Sequence, residues 1–224
     1  MSDKINILGV EMDCLSAKEA MLQAMQFMEN GSVDTIEILS MDVLMNGRDD
    51  LKWKELLKEI KIVLPGEAEI LEAAEVYDRV QIKEAANRTF FRMLMKYFQK
   101  NKKRIFLLAD TEERLERAGA AASGYNRGLR LSGRGLLDPD GSTEENIIND
   151  INGTETDCII SVLSSPYQEQ FITRNRTLLN AKLWLGCGSM FEKSQEERMP
   201  LGQIRHFFLK TMFRRRVEKQ QKEE

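Results

Sequence analysis

Short apolar runs alternate with amphipathic stretches along the whole chain. Runs at 5–11, 33–40, 61–64, 104–109, 129–133, 157–163 and 181–186 read as strands. Between them, 16–30, 41–46, 52–59, 67–77, 84–100, 111–123, 142–152 and 166–174 read as helices. The 157–163 run is almost continuously apolar, as a strand covered on both faces must be. Strand–helix alternation predicts an α/β fold with a parallel sheet and right-handed crossovers.

Local signals sharpen several boundaries. Ser16 and Glu19 form a capping-box pattern, and apolar residues recur from Ala20 to Met28 until Asn30-Gly31 stops the helix. Phe90, Phe91, Leu94, Met95 and Phe98 form one buried stripe of a long helix over 84–100. Ser142 and Glu145 suggest a second capping box. Ligands of parallel sheets sit beyond the carboxyl ends of the strands. That places the loops 40–42, 65–69, 164–169 and 186–192 around any site.

The 224 residues suit one domain over 1–197, built as two closely packed Rossmann-like lobes of roughly 1–100 and 101–197. A basic amphipathic helix and tail then occupies 198–224. The tail holds eight Lys or Arg and three Glu, hence +5, which leaves −8 for the rest of a chain of net charge −3. Such a split directs the tail toward something anionic. The apolar run at 5–10 is too short for a signal sequence, and no run approaches the ~20 residues that span a bilayer. The expected location is cytoplasmic, peripheral at the inner face of the cell membrane where the tail engages it. Cys14, Cys158 and Cys187 are read as buried free thiols. The single histidine, His206, and the absence of a CxxC pair leave no multi-histidine or cysteine metal set. No metal or cofactor is expected. Chemistry would run on carboxylates, amides and arginines.

Several segments, in order and at matching spacing, resemble the WecB/TagA/CpsF glycosyltransferase family. Ile7-Leu8-Gly9-Val10-Glu11-Met12-Asp13 is similar to its I-L-G-V-x-V-D opening. Val63-Leu64-Pro65 is similar to the start of its V-L-P-D-G loop. The segment from Leu129-Arg130 to Leu137-Asp138-Pro139 follows its G-L-R-I-x-G…F-D-P pattern. Ser165-Pro166-Tyr167-Gln168-Glu169 resembles G-x-P-x-Q-E, and Gly186-Cys187-Gly188 with Phe191-Glu192 resembles G-V-G-x-x-F-D. Arg198-Met199-Pro200 resembles R-A-P, so the likeness runs from Ile7 to about Arg216. It implies transfer, with inversion and without a tightly bound metal, of N-acetylmannosamine or a similar sugar from a UDP donor. The implied acceptor is a polyprenyl-diphosphate-linked sugar, in cell-surface polysaccharide or teichoic acid synthesis.

The departures fall on the chemistry. The family's proposed catalytic aspartate aligns with Gly66, and its next glycine with Glu67. T-L-N becomes Ile38-Leu39-Ser40, R-V-A-G-T-D becomes the segment from Arg79-Val80 to Lys83-Glu84, and a G-G turn becomes Ala109-Asp110. Glu67 is therefore the candidate relocated base, against the plainer reading of an acid favoured at a helix N-terminus. Ser40, Arg79, Gln168, Glu169, Gly186 and Gly188 are the candidate substrate-binding residues. The two glycines would let the backbone approach a diphosphate; otherwise they make an ordinary turn. In the tail, Arg205, Arg214, Arg215 and Arg216 are the candidates for a lipid diphosphate or an anionic membrane, against a helix simply docked on the body. No groove-reading motif points to nucleic acid, and self-association into an oligomer stays open. The other functional reading is a catalytically silent member that binds a nucleotide sugar or a partner transferase.

Overall fold

The computed structural model describes residues 3–125, 128–190 and 200–223. Six strands form one parallel sheet: β3 (Asp34–Leu39), β4 (Ile62–Pro65), β5 (Arg104–Ala109), β6 (Arg130–Leu136), β7 (Cys158–Ser161) and β8 (Leu183–Gly186). Their order is β4-β3-β8-β7-β5-β6, so strands of both halves of the chain join side by side. The expected α/β architecture, with parallel strands and a C-terminal helix, is present.

Side chains alternate across each strand and feed two cores. Ile36, Ile38, Leu107 and Ile160 face one layer. There α1 (Ala17–Phe27), α6 (Thr89–Lys100) and α7 (Glu112–Tyr125) pack. Leu39, Leu108, Ile159 and Trp184 face the other. Against them lie α2 (Met41–Gly47), α3 (Leu51–Lys58), α8 (Glu144–Gly153), α9 (Tyr167–Asn175) and α10 (Pro200–Glu223). The continuous apolar character of 157–163 follows from this double cover: Cys158, Ile159 and Ile160 are all fully buried.

Three local expectations are corrected. The single strand expected at 5–11 is a hairpin, β1 (Lys4–Ile7) antiparallel to β2 (Val10–Asp13). Leu8 (φ 54°) and Gly9 (φ 76°) turn the chain, the paired positive φ of a tight hairpin turn. The helix expected over 84–100 is broken, because Arg88 adopts φ 50°. It yields α5 (Arg79–Ala86), capped by Asp78, and then α6. A left-handed residue cannot continue a right-handed helix. The second capping box does not form. Thr143 stands at the N-cap of α8 without a side-chain cap; its hydroxyl instead accepts from the Asp138 N–H at 2.9 Å. The first capping box is formed, with Ser16 and Glu19 exchanging both bonds.

Candidate functional site

The carboxyl ends of the sheet carry the segments singled out by sequence. Ser40 follows β3, Gly66 and Glu67 follow β4, Ser164 lies beyond β7, and Gly188 opens a short turn after β8 that runs to Met190. Beside β3 and β4 opens a pocket. Its walls are apolar (Ile38, Leu64, Phe90, Phe91, Met190), and polar groups come from Gln81, Glu84, Arg88 and Thr89. The break at Arg88 brings α5 and α6 to the pocket, and Arg88 Nη1 donates to the Met190 carbonyl at 3.3 Å. The Met190 turn is thereby tied to the pocket wall.

Two carboxylates flank Gly66 but face different ways. Glu84 lines the pocket, and its Oε2 accepts from the Ala17 N–H at 2.8 Å, at the start of α1. Glu67 stands at the N-cap of α4 (Ala68–Ala73) yet does not cap it. It is 7% exposed, and its Oε2 accepts from the Met41 N–H at 2.9 Å, at the start of α2. Gly66 itself donates to the Leu39 carbonyl at 2.8 Å. A Cβ at Gly66 would run into the Met190 thioether and lie 2.8 Å from that same carbonyl. No side chain fits at residue 66 unless the backbone of β3 moves.

Behind the edge lies a buried polar network. Gln168 donates from Nε2 to Glu37 Oε2 at 2.7 Å and accepts at Oε1 from Ser161 Oγ at 2.8 Å. Trp184 Nε1 reaches Glu37 Oε1 at 3.4 Å. Ser165 Oγ donates to Glu169 Oε1 at 2.7 Å, while Glu169 Oε2 is buried without a hydrogen bond. Burial, then the nearby Glu169 charge, pushes the Glu37 carboxyl well above the usual range. Burial also raises Glu169, against the lowering pull of Ser165. Further along the edge, Asp110 accepts from the Ser164 N–H at 2.8 Å and pairs with Arg114 at 3.0 Å. Burial raises its pKa, but Ser164 and Arg114 outweigh that and hold it below the usual carboxylate range.

A family model for the glycosyl transferase WecG/TagA/CpsF family matches residues 5–197. The chain belongs to this family. No curated protein matches it. The WecG/TagA/CpsF match covers the hairpin, the whole sheet and every edge loop described above.

Within that WecG/TagA/CpsF frame the candidate residues separate. Ser40 is buried as the N-cap of α2, its hydroxyl accepting from the Val43 N–H at 3.4 Å. Gln168 and Glu169 are buried in the network rather than presented on the pocket. Gly186 is confined by the same network: a Cβ there would enter the Glu37 carboxylate. Gly188 is different. Its φ is +46°, and among the described residues an added Cβ would come no nearer than 4.0 Å, to the Leu163 carbonyl. Arg79 is exposed in the first turn of α5 and does not line the pocket. Sequence reasoning gave no role to Glu37, Glu84 or Arg88. Glu37 had a signal, a carboxylate between Ile36 and Ile38 inside a core strand.

The tail helix α10 docks on α2 and α4. Phe213 and Val217 are buried in the second core. Lys210 pairs with Glu69 at 3.1 Å, and Arg214 with Glu72 at 3.5 Å. Arg215 is exposed, and Arg216 lines a surface cleft with Arg48, Lys54 and Lys219. The side chain of Arg205 lies outside the described residues. Phe207, Phe208 and Met212 remain exposed on α10. No helix among the described residues is long and apolar enough to cross a membrane. Cys158 and Cys187 are buried free thiols; Cys14 is only partly covered.

Proposed function

We propose that the protein transfers N-acetylmannosamine or a similar sugar from a UDP donor to a polyprenyl-diphosphate-linked acceptor. The observation that carries this is the pocket at the carboxyl edge of a WecG/TagA/CpsF sheet, beside the positive-φ glycine turn at Gly188. Backbone N–H groups of such turns suit a diphosphate, and a pocket with apolar walls and a few polar groups suits a nucleotide sugar. Inverting transfer needs a group to take the acceptor hydroxyl proton. Glu84 holds the pocket position for that role. Glu67, one residue past the family's aspartate, serves only once it releases the Met41 N–H.

A second reading is favoured by one observation. Residue 66 has no room for a side chain, because Met190 and the Leu39 carbonyl fill the position. A family member that binds the nucleotide sugar without turnover would have that geometry. Calorimetric titration of the purified protein with UDP is the first test. Saturable binding, abolished in a folded Gly188→Val variant, is expected; no binding by folded wild type would remove both readings. Donor-dependent UDP release then separates enzyme from binder.

The acceptor is lipid-linked, so the protein is expected to work at an anionic membrane surface. Phe207, Phe208 and Met212 on α10, with exposed Arg215, form the face proposed to meet it. Phe207→Ser with Phe208→Ser is expected to reduce cosedimentation with anionic liposomes several-fold, each lost aromatic removing burial energy. The melting temperature should hold, because neither ring is buried. Unchanged cosedimentation would refute the membrane face.

A further inference from the structure

Glu37 is the unexplained group of this fold. It is fully buried in the middle of β3, on the face that carries Leu39 and meets Trp184, where an apolar residue would be at home. Burying a carboxyl costs several kcal/mol unless it is neutral or well bonded. The chain surrounds it with donors instead. Gln168, from α9, spans from Ser161 on β7 to Glu37 on β3. The strand between them is β8, and the bridge passes where Gly186 has no side chain to block it. The requirement for glycine at 186 is thus set by Glu37. Ser161 also accepts from the Leu163 N–H at 3.3 Å, which carries the network into the segment ahead of Ser164.

We propose that Glu37 is a positioning residue. Its carboxyl, joined through Gln168 to Ser161, locks the ends of β3, β8 and β7 together and so sets the Gly186–Gly188 turn and the segment from Leu163 to Pro166. The titratable neighbour is Glu169 on α9; Trp184 on β8, Gln168 on α9 and Ser161 on β7 complete the surroundings. Two neighbouring buried carboxyls do not ionise together readily. When Glu37 loses its proton, the Gln168 and Trp184 donors still hold the carboxylate, but a negative charge is left buried beside Glu169 and the adjoining turn shifts to relieve it. Its role for a ligand rests on the donor reading above.

The sign of the pH effect follows. A carboxyl raised in the folded state stays protonated while its unfolded counterpart ionises. Stability therefore falls as pH climbs from the ordinary carboxyl range through the raised value. Glu37→Gln, a neutral isostere that accepts at its carbonyl oxygen, removes that slope except for the part due to Glu169.

The experiment is a pH titration of backbone amide resonances on the full chain, from about pH 5 to about pH 9, above the ordinary glutamate value near 4.3. The amides of Gly186, Cys187, Gly188 and Ser164 are expected to move together in one step in wild type and to show no step in Glu37→Gln. Glu37→Leu, which removes the acceptor for Gln168, should displace the same amides at every pH. UDP affinity of wild type is expected to fall about tenfold across the step, about 1.4 kcal/mol, and to stay flat in Glu37→Gln. Absence of a step in wild type, or its persistence in Glu37→Gln, would overturn the proposal. Failure of UDP to bind at any pH would remove the donor reading, while the amide step still decides the role of Glu37.

Discussion

Glu84→Gln is expected to lower donor-dependent UDP release by about 10²–10⁴-fold, the usual contribution of a general base. UDP affinity and thermal stability should stay near wild type. The amide oxygen of glutamine can still accept from the Ala17 N–H that Glu84 now holds at 2.8 Å, so α1 keeps its start. Only the ability to take a proton is lost. Glu67→Gln is the matching control. Its amide oxygen can likewise accept from the Met41 N–H, and at 7% exposure Glu67 is turned away from the pocket. A few-fold effect at most is expected there. The reverse pattern would assign the base to Glu67, one position beyond the family's aspartate. Turnover absent in wild type, with UDP still bound, would establish the silent reading that the filled space at Gly66 favours.

How far the sequence disclosed this arrangement depended on whether the signal was local. Strand and helix order was legible because burial on both faces writes continuous apolar runs such as 157–163 into the chain. The hairpin and the helix break were not. Both hang on leucine and arginine at positive φ, a conformation neither residue type advertises. The edge loops were legible through motif order, and the absence of a carboxylate at Gly66 was visible as a substitution. What filled the gap was not, because Met190 lies far along the chain and reaches Gly66 only through the pairing of β3 with β8. The same holds for Gly186. Read alone it is a phosphate-turn glycine; its register against Glu37 on β3 makes it a space left for a buried bridge. Glu84 required the break at Arg88, since a continuous helix over 84–100 gives no reason to fold α5 against the pocket.

Phe213→Ala is expected to cost about 3–5 kcal/mol of unfolding free energy, the range for emptying a buried phenylalanine site. The ring is fully buried in the core that also contains Trp184 and Phe171, so α10 is part of the packed fold rather than an appended arm. The ion pairs of α10 cannot substitute for it. Arg214 and Lys210 meet Glu72 and Glu69 at the surface, where such pairs contribute about 0–1 kcal/mol each. Urea unfolding monitored by tryptophan fluorescence would show the loss as a lower midpoint with an unchanged slope. A loss under about 1 kcal/mol would mean that α10 docks independently of the sheet's core. The comparison with Phe207→Ser and Phe208→Ser makes the assignment specific. Those rings lie on the same helix but are exposed, so they should leave the midpoint alone and change only membrane association. One helix would then carry two separable jobs, with Phe213 and Val217 holding it to the body and the exposed aromatics facing outward.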